Sequence, residues 1–176
     1  MADPLLVAMV EKRARSDARA HRDNAALQVR DGLALLRSAE VGDGYLFDRA
    51  RKIFSDASRM APEWAYPWFG MALAESGKGA WLARNPANLG TRVGYGSYQA
   101  AVKLLQSTLR IEPGFTPALL RLYTLSNVLR DSVLSSQILG AHRVAIANGN
   151  PDSEVLVNLG RLERAVGDLD SASAAF

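Results

Sequence analysis

Apolar side chains recur every three or four positions over most of this chain, the spacing of helices that bury one face. Leu119, Leu122, Ser126 and Leu129 form one such stripe, and Leu134, Ile138, Ala141 and Ala145 form another. Asp3-Pro4 suits a helix start, a capping residue followed by a proline whose missing N–H is not needed there. Pro62 and Pro113 mark two helix ends, because the residue before a proline is pushed out of the helical region. The pattern predicts a first helix over residues 4–22, then helical hairpins over 24–60, 64–111, 116–148 and 153–176. Two connections stand out. Residues 38–44 form a longer link inside the first hairpin. Residues 77–97, GKGAWLARNPANLGTRVGYGS, read as a much larger insert in the second.

The hairpins are related to one another. Leu156-x-x-Leu159-Gly160-x-x-Glu163 is followed by Gly167-Asp168 and then Ala172-x-x-x-Phe176. Ala50-x-x-x-Phe54-x-x-Ala57 runs to Pro62 and is followed by Trp68-x-x-Met71-Ala72. Ala101-x-x-x-Leu105-x-x-Thr108 runs to Pro113, and Leu119-x-x-Leu122-Tyr123 opens a further unit that Ile138, His142 and Ala145 close. Small residues at fixed intervals let two helices cross closely, and large ones fill the space between crossings. This pattern resembles the tetratricopeptide repeat, departing from it at Glu163, which stands in an aromatic slot. The resemblance implies an all-α, right-handed α-solenoid of antiparallel helix pairs. Its expected organisation is a leader helix over 1–23 and a repeat domain over 24–176. The repeat units are 24–62, 63–113 with the insert 77–97, 114–150 and an incomplete 151–176. The stretch Pro62-Glu63-Trp64-Ala65-Tyr66-Pro67-Trp68 before a glycine-rich insert is also similar to the N-terminal repeat regions of larger bacterial proteins. Phe176 falls in the middle of a predicted second helix, so the expectation is a piece of a longer chain.

Composition adds limits more than direction. Of 176 residues 48% are hydrophobic and 22% charged, enough for a buried core and against general disorder. No cysteine is present, which removes disulfides, thiolate nucleophiles and cysteine metal sites. The N-terminal apolar run, residues 5–10, is short and preceded by an acid, unlike a secretory signal. The longest apolar run, residues 64–74, is too short to span a bilayer, so a cytoplasmic location is the default expectation. The formal charge is +3. Arg13, Arg15, Arg19, Arg22 and Arg30 cluster near the N-terminus, diluted by Glu11, Asp17 and Asp23, and read as a solvated basic face.

Candidate chemistry is sparse. The two histidines are His21, among charges, and His142, in the slot that Phe54 and Phe176 fill in their own repeats. His142 therefore reads as a packing residue, and no second metal ligand stands at helical spacing from it. No nucleophile elbow, zinc-protease motif or phosphate loop is present, so neither an enzyme nor a cofactor or metal site is expected. Gly90, Gly94 and Gly96 precede a helix, but no lysine follows them, and they read as a connection. Trp81, Arg84, Arg92 and Tyr95 in the insert mix aromatics with arginines, a composition that can stack and neutralise single-stranded nucleic acid. The favoured expectation is that the insert folds back and its aromatics plug the hairpin edge.

The resemblance implies an inner groove lined by the first helix of each pair. On this sequence its residues are Tyr66, Phe69 and Leu73, then Leu120, Arg121, Thr124 and Asn127, then Val157, Asn158, Arg161 and Arg164. A groove apolar at one end and arginine-bearing at the other suits a peptide or helix of another protein, acidic where it meets arginine. Phe69, Leu73, Leu120 and Thr124 stand where the family's carboxylate clamp has lysine or asparagine, which argues against a chaperone-tail adaptor. The expected role is a protein-interaction scaffold. The alternatives are nucleic-acid or polyanion binding through the N-terminal arginines and the insert, and self-association as a homo-oligomer.

Overall fold

The computed structural model describes residues 4–84, 92–130, 132–149 and 153–166. Among them are eight helices: α1 (Pro4–Ala20), α2 (Ala25–Val41), α3 (Tyr45–Met60), α4 (Ala65–Arg84), α5 (Tyr95–Ile111), α6 (Thr116–Leu129), α7 (Ser132–Ala147) and α8 (Ser153–Val166). Pro4 opens α1, as its sequence suggested, while Asp3 lies outside the described residues, as do Ala172 and Phe176. Local chemistry sets several helix ends. Asn24 Oδ1 accepts hydrogen bonds from the N–H groups of Ala26 and Leu27, at 3.0 and 3.2 Å, and so caps α2. Pro117 sits in the first turn of α6, and Arg130 closes that helix in the left-handed conformation, its N–H donating to the Ser126 carbonyl at 2.9 Å.

Both long connections are shorter than the sequence pattern suggested. Helix α2 continues through Val41, leaving only residues 42–44 before α3. Helix α4 continues to Arg84, and α5 already begins at Tyr95, so the ends of the predicted 77–97 insert are helical. The glycines that look like loop residues serve close helix packing instead. Gly77 meets the Phe47 ring, and a β-carbon on Gly79 would lie 2.9 Å from the Tyr98 ring. Asp48–Lys78, at 2.8 Å, and Arg51–Glu75, at 2.7 Å, are ion pairs that tie α3 to this extended α4.

The chain divides within α5 into two compact units, Met1–Leu104 and Leu105–Phe176. In the first, α2 packs against α1, α3 and α4. Its core holds Val29, Leu35, Leu36, Phe47, Ala50, Phe54, Ala57 and Met71, with Trp64 and Trp68 packed against it. Ala50, Phe54, Ala57 and Ala72, the repeat's small and large positions, are fully buried. In the second unit α7 packs on α6 and α8, and α6 also meets α8. Leu119, Ala145 and Val155 form its centre, flanked by Leu109, Ala141 and Ile146.

Two polar residues are part of that second interior. His142 is fully buried, and its Nδ1 is 3.0 Å from the Ile138 carbonyl, one helical turn back. Glu163, in the slot where the repeat has an aromatic ring, is buried and accepts Arg143 Nε at 3.1 Å and Nη2 at 2.8 Å on its Oε1. The arginine fork replaces the ring's packing with a charge pair.

Candidate functional site

Helical spacing places Leu120, Thr124 and Asn127 on one face of α6, and Val157, Arg161 and Arg164 on one face of α8. Thr124 and Asn127 are exposed, although the Thr124 hydroxyl donates back to the Leu120 carbonyl at 3.0 Å. Leu120, Arg121 and Val157 are half-buried. Arg161 and Arg164 are exposed and form no ion pair among the described residues. Asn158 departs from expectation. It is 4% exposed because it shares the stripe of Val155 and Leu162, which faces the interior.

On α4, Tyr66 is 47% exposed and its ring lies 5.6 Å from that of Trp64. Phe69 is half-buried. Leu73 packs against the core of the first unit and offers a partner little surface. Of the insert residues, Trp81 belongs to α4 and lies against Gly44 in the α2–α3 turn, while residues 85–91, on which the expected folding back depends, lie outside the described residues. Arg84 is exposed at the end of α4. The Arg92 guanidinium stands 5.6 Å from the Tyr95 ring centre.

A second feature escaped the sequence pattern. A cleft of about 540 Å³ lies among α1, α2 and α3 and is lined by five arginines, Arg15, Arg19, Arg22, Arg49 and Arg59, against two aspartates, Asp31 and Asp56. Residues 15, 19 and 22 follow the i, i+4, i+7 rhythm along α1 and into the turn after it, so three arginines meet one side of the cleft. Arg15 pairs with Glu11, and Arg59 with Asp56. Arg19, Arg22 and Arg49 form no ion pair among the described residues, and Arg49 stands 6.0 Å from the Tyr45 ring centre. Asp31 is only 7% exposed. Burial pushes its carboxyl above the ordinary carboxylate range, against the pull of Arg15, Arg19 and Arg49. The other N-terminal arginines go elsewhere: Arg30 pairs with Asp17, and Arg13 is exposed. Among the described residues no group of three His, Asp or Glu side chains could hold a metal ion. No helix among them is long and apolar enough to cross a membrane.

This architecture is shared with solved structures. Over 94% of this chain and 77% of the other, it superposes with a TM-score of 0.62 on TTC0263, a thermophilic TPR protein of Thermus thermophilus, at 15% identity. The chain has the tetratricopeptide-repeat fold. Two crystal structures of MamA agree, with TM-scores of 0.61 and 0.58 at 14% and 13% identity. They cover 94% and 98% of this chain and 82% and 87% of their own. No family model matches the sequence. No curated protein matches it at a significant level either. The likeness is therefore one of packing: a tetratricopeptide-repeat core needs small and large residues at set intervals and tolerates wide change elsewhere.

Proposed function

We propose that this tetratricopeptide-repeat chain is a protein-interaction scaffold without catalytic chemistry, and that the exposed faces of α6 and α8, within the second unit, receive a peptide or helix of a partner. The observation that carries this reading is the pair Arg161 and Arg164, exposed on a first-helix face and forming no ion pair among the described residues. Arginine retains its charge at any physiological pH and forks onto carboxylates, so the partner segment is acidic where it meets α8.

The test is capture from nuclease-treated lysate of the source cells, comparing the parent chain with Arg161→Glu/Arg164→Glu. Thermal melting first establishes that the variant is folded. A protein held by the parent and lost by the charge-reversed variant supports the reading. Identical captures by parent and variant, or none by either, would overturn it.

A further inference from the structure

Two contacts fix how α1 and α2 lie against each other. Asp17 pairs with Arg30, and the Ser38 hydroxyl donates to Glu11. The helices run antiparallel, so Leu6 stands level with Val41, Val10 with Arg37 and Arg13 with Leu33. Helical spacing places residues 6, 10, 13 and 17 on one face of α1, and 30, 33, 37 and 41 on one face of α2. The Asp17–Arg30 pair joins these faces into a single strip about 16 Å long.

The strip is apolar where water is its only neighbour among the described residues. Leu6 and Val41 are 59% and 71% exposed, Val10 and Leu33 55% and 40%. The core-facing positions of the same helices, Ala14, Ala18, Leu35 and Ala39, are buried, so this is a second apolar face on the pair. A helical solenoid keeps an outer face polar unless a further helix stacks on it. Charge narrows the occupant. Arg13 and Arg37 are exposed and form no ion pair among the described residues. Val10 and Leu33 lie on a diagonal of the strip, with Arg37 on one side and Arg13 on the other. An apolar stripe with carboxylates on both flanks matches that layout, and an acidic amphipathic helix presents one.

Two other occupants fit less well. An anionic bilayer would meet the carboxylate of Asp17 within the strip and that of Glu40 at its rim. A second copy has no acidic helix to offer, since none of the eight described helices carries net negative charge. Two-fold pairing of the strip with itself would set Arg13 and Arg37 against one another.

We propose that this strip docks an acidic amphipathic helix of a partner protein, its apolar stripe on Val10 and Leu33 and its carboxylates on Arg13 and Arg37. The surface lies wholly within the first unit, so it stands or falls apart from partner binding on α6 and α8.

The experiment is an NMR titration of the ¹⁵N-labelled full chain with a synthetic helical peptide of about five turns. The peptide carries a leucine stripe at helical spacing and glutamates on both flanks. One control peptide replaces every glutamate by lysine, and another shuffles the same residues so that no stripe forms. The glutamate peptide is expected to saturate the signals of residues 6–17 and 30–41, and to bind about ten-fold more tightly than either control. Arg13→Glu/Arg37→Glu should weaken it about ten-fold, and Leu6→Ser/Val10→Ser, which leaves the charge unchanged, by a similar factor. All four positions are exposed, and circular dichroism checks that both variants fold. Equal binding of the shuffled peptide would reduce the strip to a basic patch and overturn the proposal. So would shifts confined to α6 and α8, the absence of saturation, or variants that bind as the parent does. Co-sedimentation with phosphatidylglycerol vesicles and light scattering cover the other occupants. Vesicle binding or dimerisation that is lost in Leu6→Ser/Val10→Ser would give the strip to lipid or to a second copy, and overturn the proposal equally.

Discussion

Phe54 presses its ring end against Gly32 so closely that a β-carbon on the glycine would lie 2.7 Å from both Cε1 and Cζ. The same ring also meets Gly70, through Cδ1 and Cε1, so one fully buried phenylalanine of α3 packs on glycines of both α2 and α4. Helix propensity alone would make Gly32→Ala stabilising by about 1 kcal/mol. Here the ring has nowhere to move, and overpacking decides the sign. Gly32→Ala is expected to destabilise the chain by about 1–3 kcal/mol. In urea unfolding followed by circular dichroism, Gly32→Ala combined with Phe54→Leu should lose less than the sum of the two single changes.

Arg143 and Glu163 form a pair of unequal burial, the carboxylate enclosed and the guanidinium about half-exposed. Glu163 Oε2 has no hydrogen-bond partner, so the carboxylate relies on Arg143 through Oε1. Arg143→Ala should cost about 2–4 kcal/mol by leaving a buried charge unpaired. Arg143→Met with Glu163→Leu should recover most of that loss, since removing both charges also removes the cost of burying them. Chemical denaturation of the three proteins checks the order.

His142 gives the chain an acid sensitivity with a definite direction. Burial lowers its pKa from the ordinary 6.5, while the bond to the Ile138 carbonyl pulls it back in part. The unfolded chain therefore takes up a proton at a higher pH than the folded one does. Stability from this group is complete above about pH 6.5 and is lost as pH falls through that value toward the depressed folded one. Melting temperature should drop on going from about pH 7.5 to about pH 5.5, and His142→Phe should flatten the drop. An equal drop in the two proteins would assign the sensitivity to other groups.

Trp81 is 39% exposed, yet its indole lies on Gly44 so closely that a β-carbon there could not be accommodated. Trp81→Ala is expected to cost about 1–3 kcal/mol, more than an ordinary surface change. Gly44→Ala should cost a comparable amount by pushing the same two groups apart. Thermal melts of both variants test whether the contact anchors the last turns of α4. If neither moves the midpoint, the contact is incidental.

The sequence by itself determined the helices and their pairing. Stripes such as Leu119, Leu122, Ser126 and Leu129 are fixed by a 3.6-residue period, and alternating small and large positions such as Ala50, Phe54 and Ala57 are fixed by how closely helices can cross. His142 was legible as a packing residue for the same reason. Helix length was less legible, because Gly77 and Gly79 signal a break locally while packing on Phe47 and Tyr98 rewards their lack of a side chain. Asn158 was misplaced by one stripe, since adjacent helical residues point about 100° apart and only packing shows which stripe faces inward. The arginine cleft was beyond reach altogether. Its residues run from Arg15 to Met60 on three helices, and along the chain each arginine looks like one of many solvated charges. Tertiary structure alone brought them together around Asp31, because electrostatic fields depend on distance through space and a one-dimensional pattern carries none.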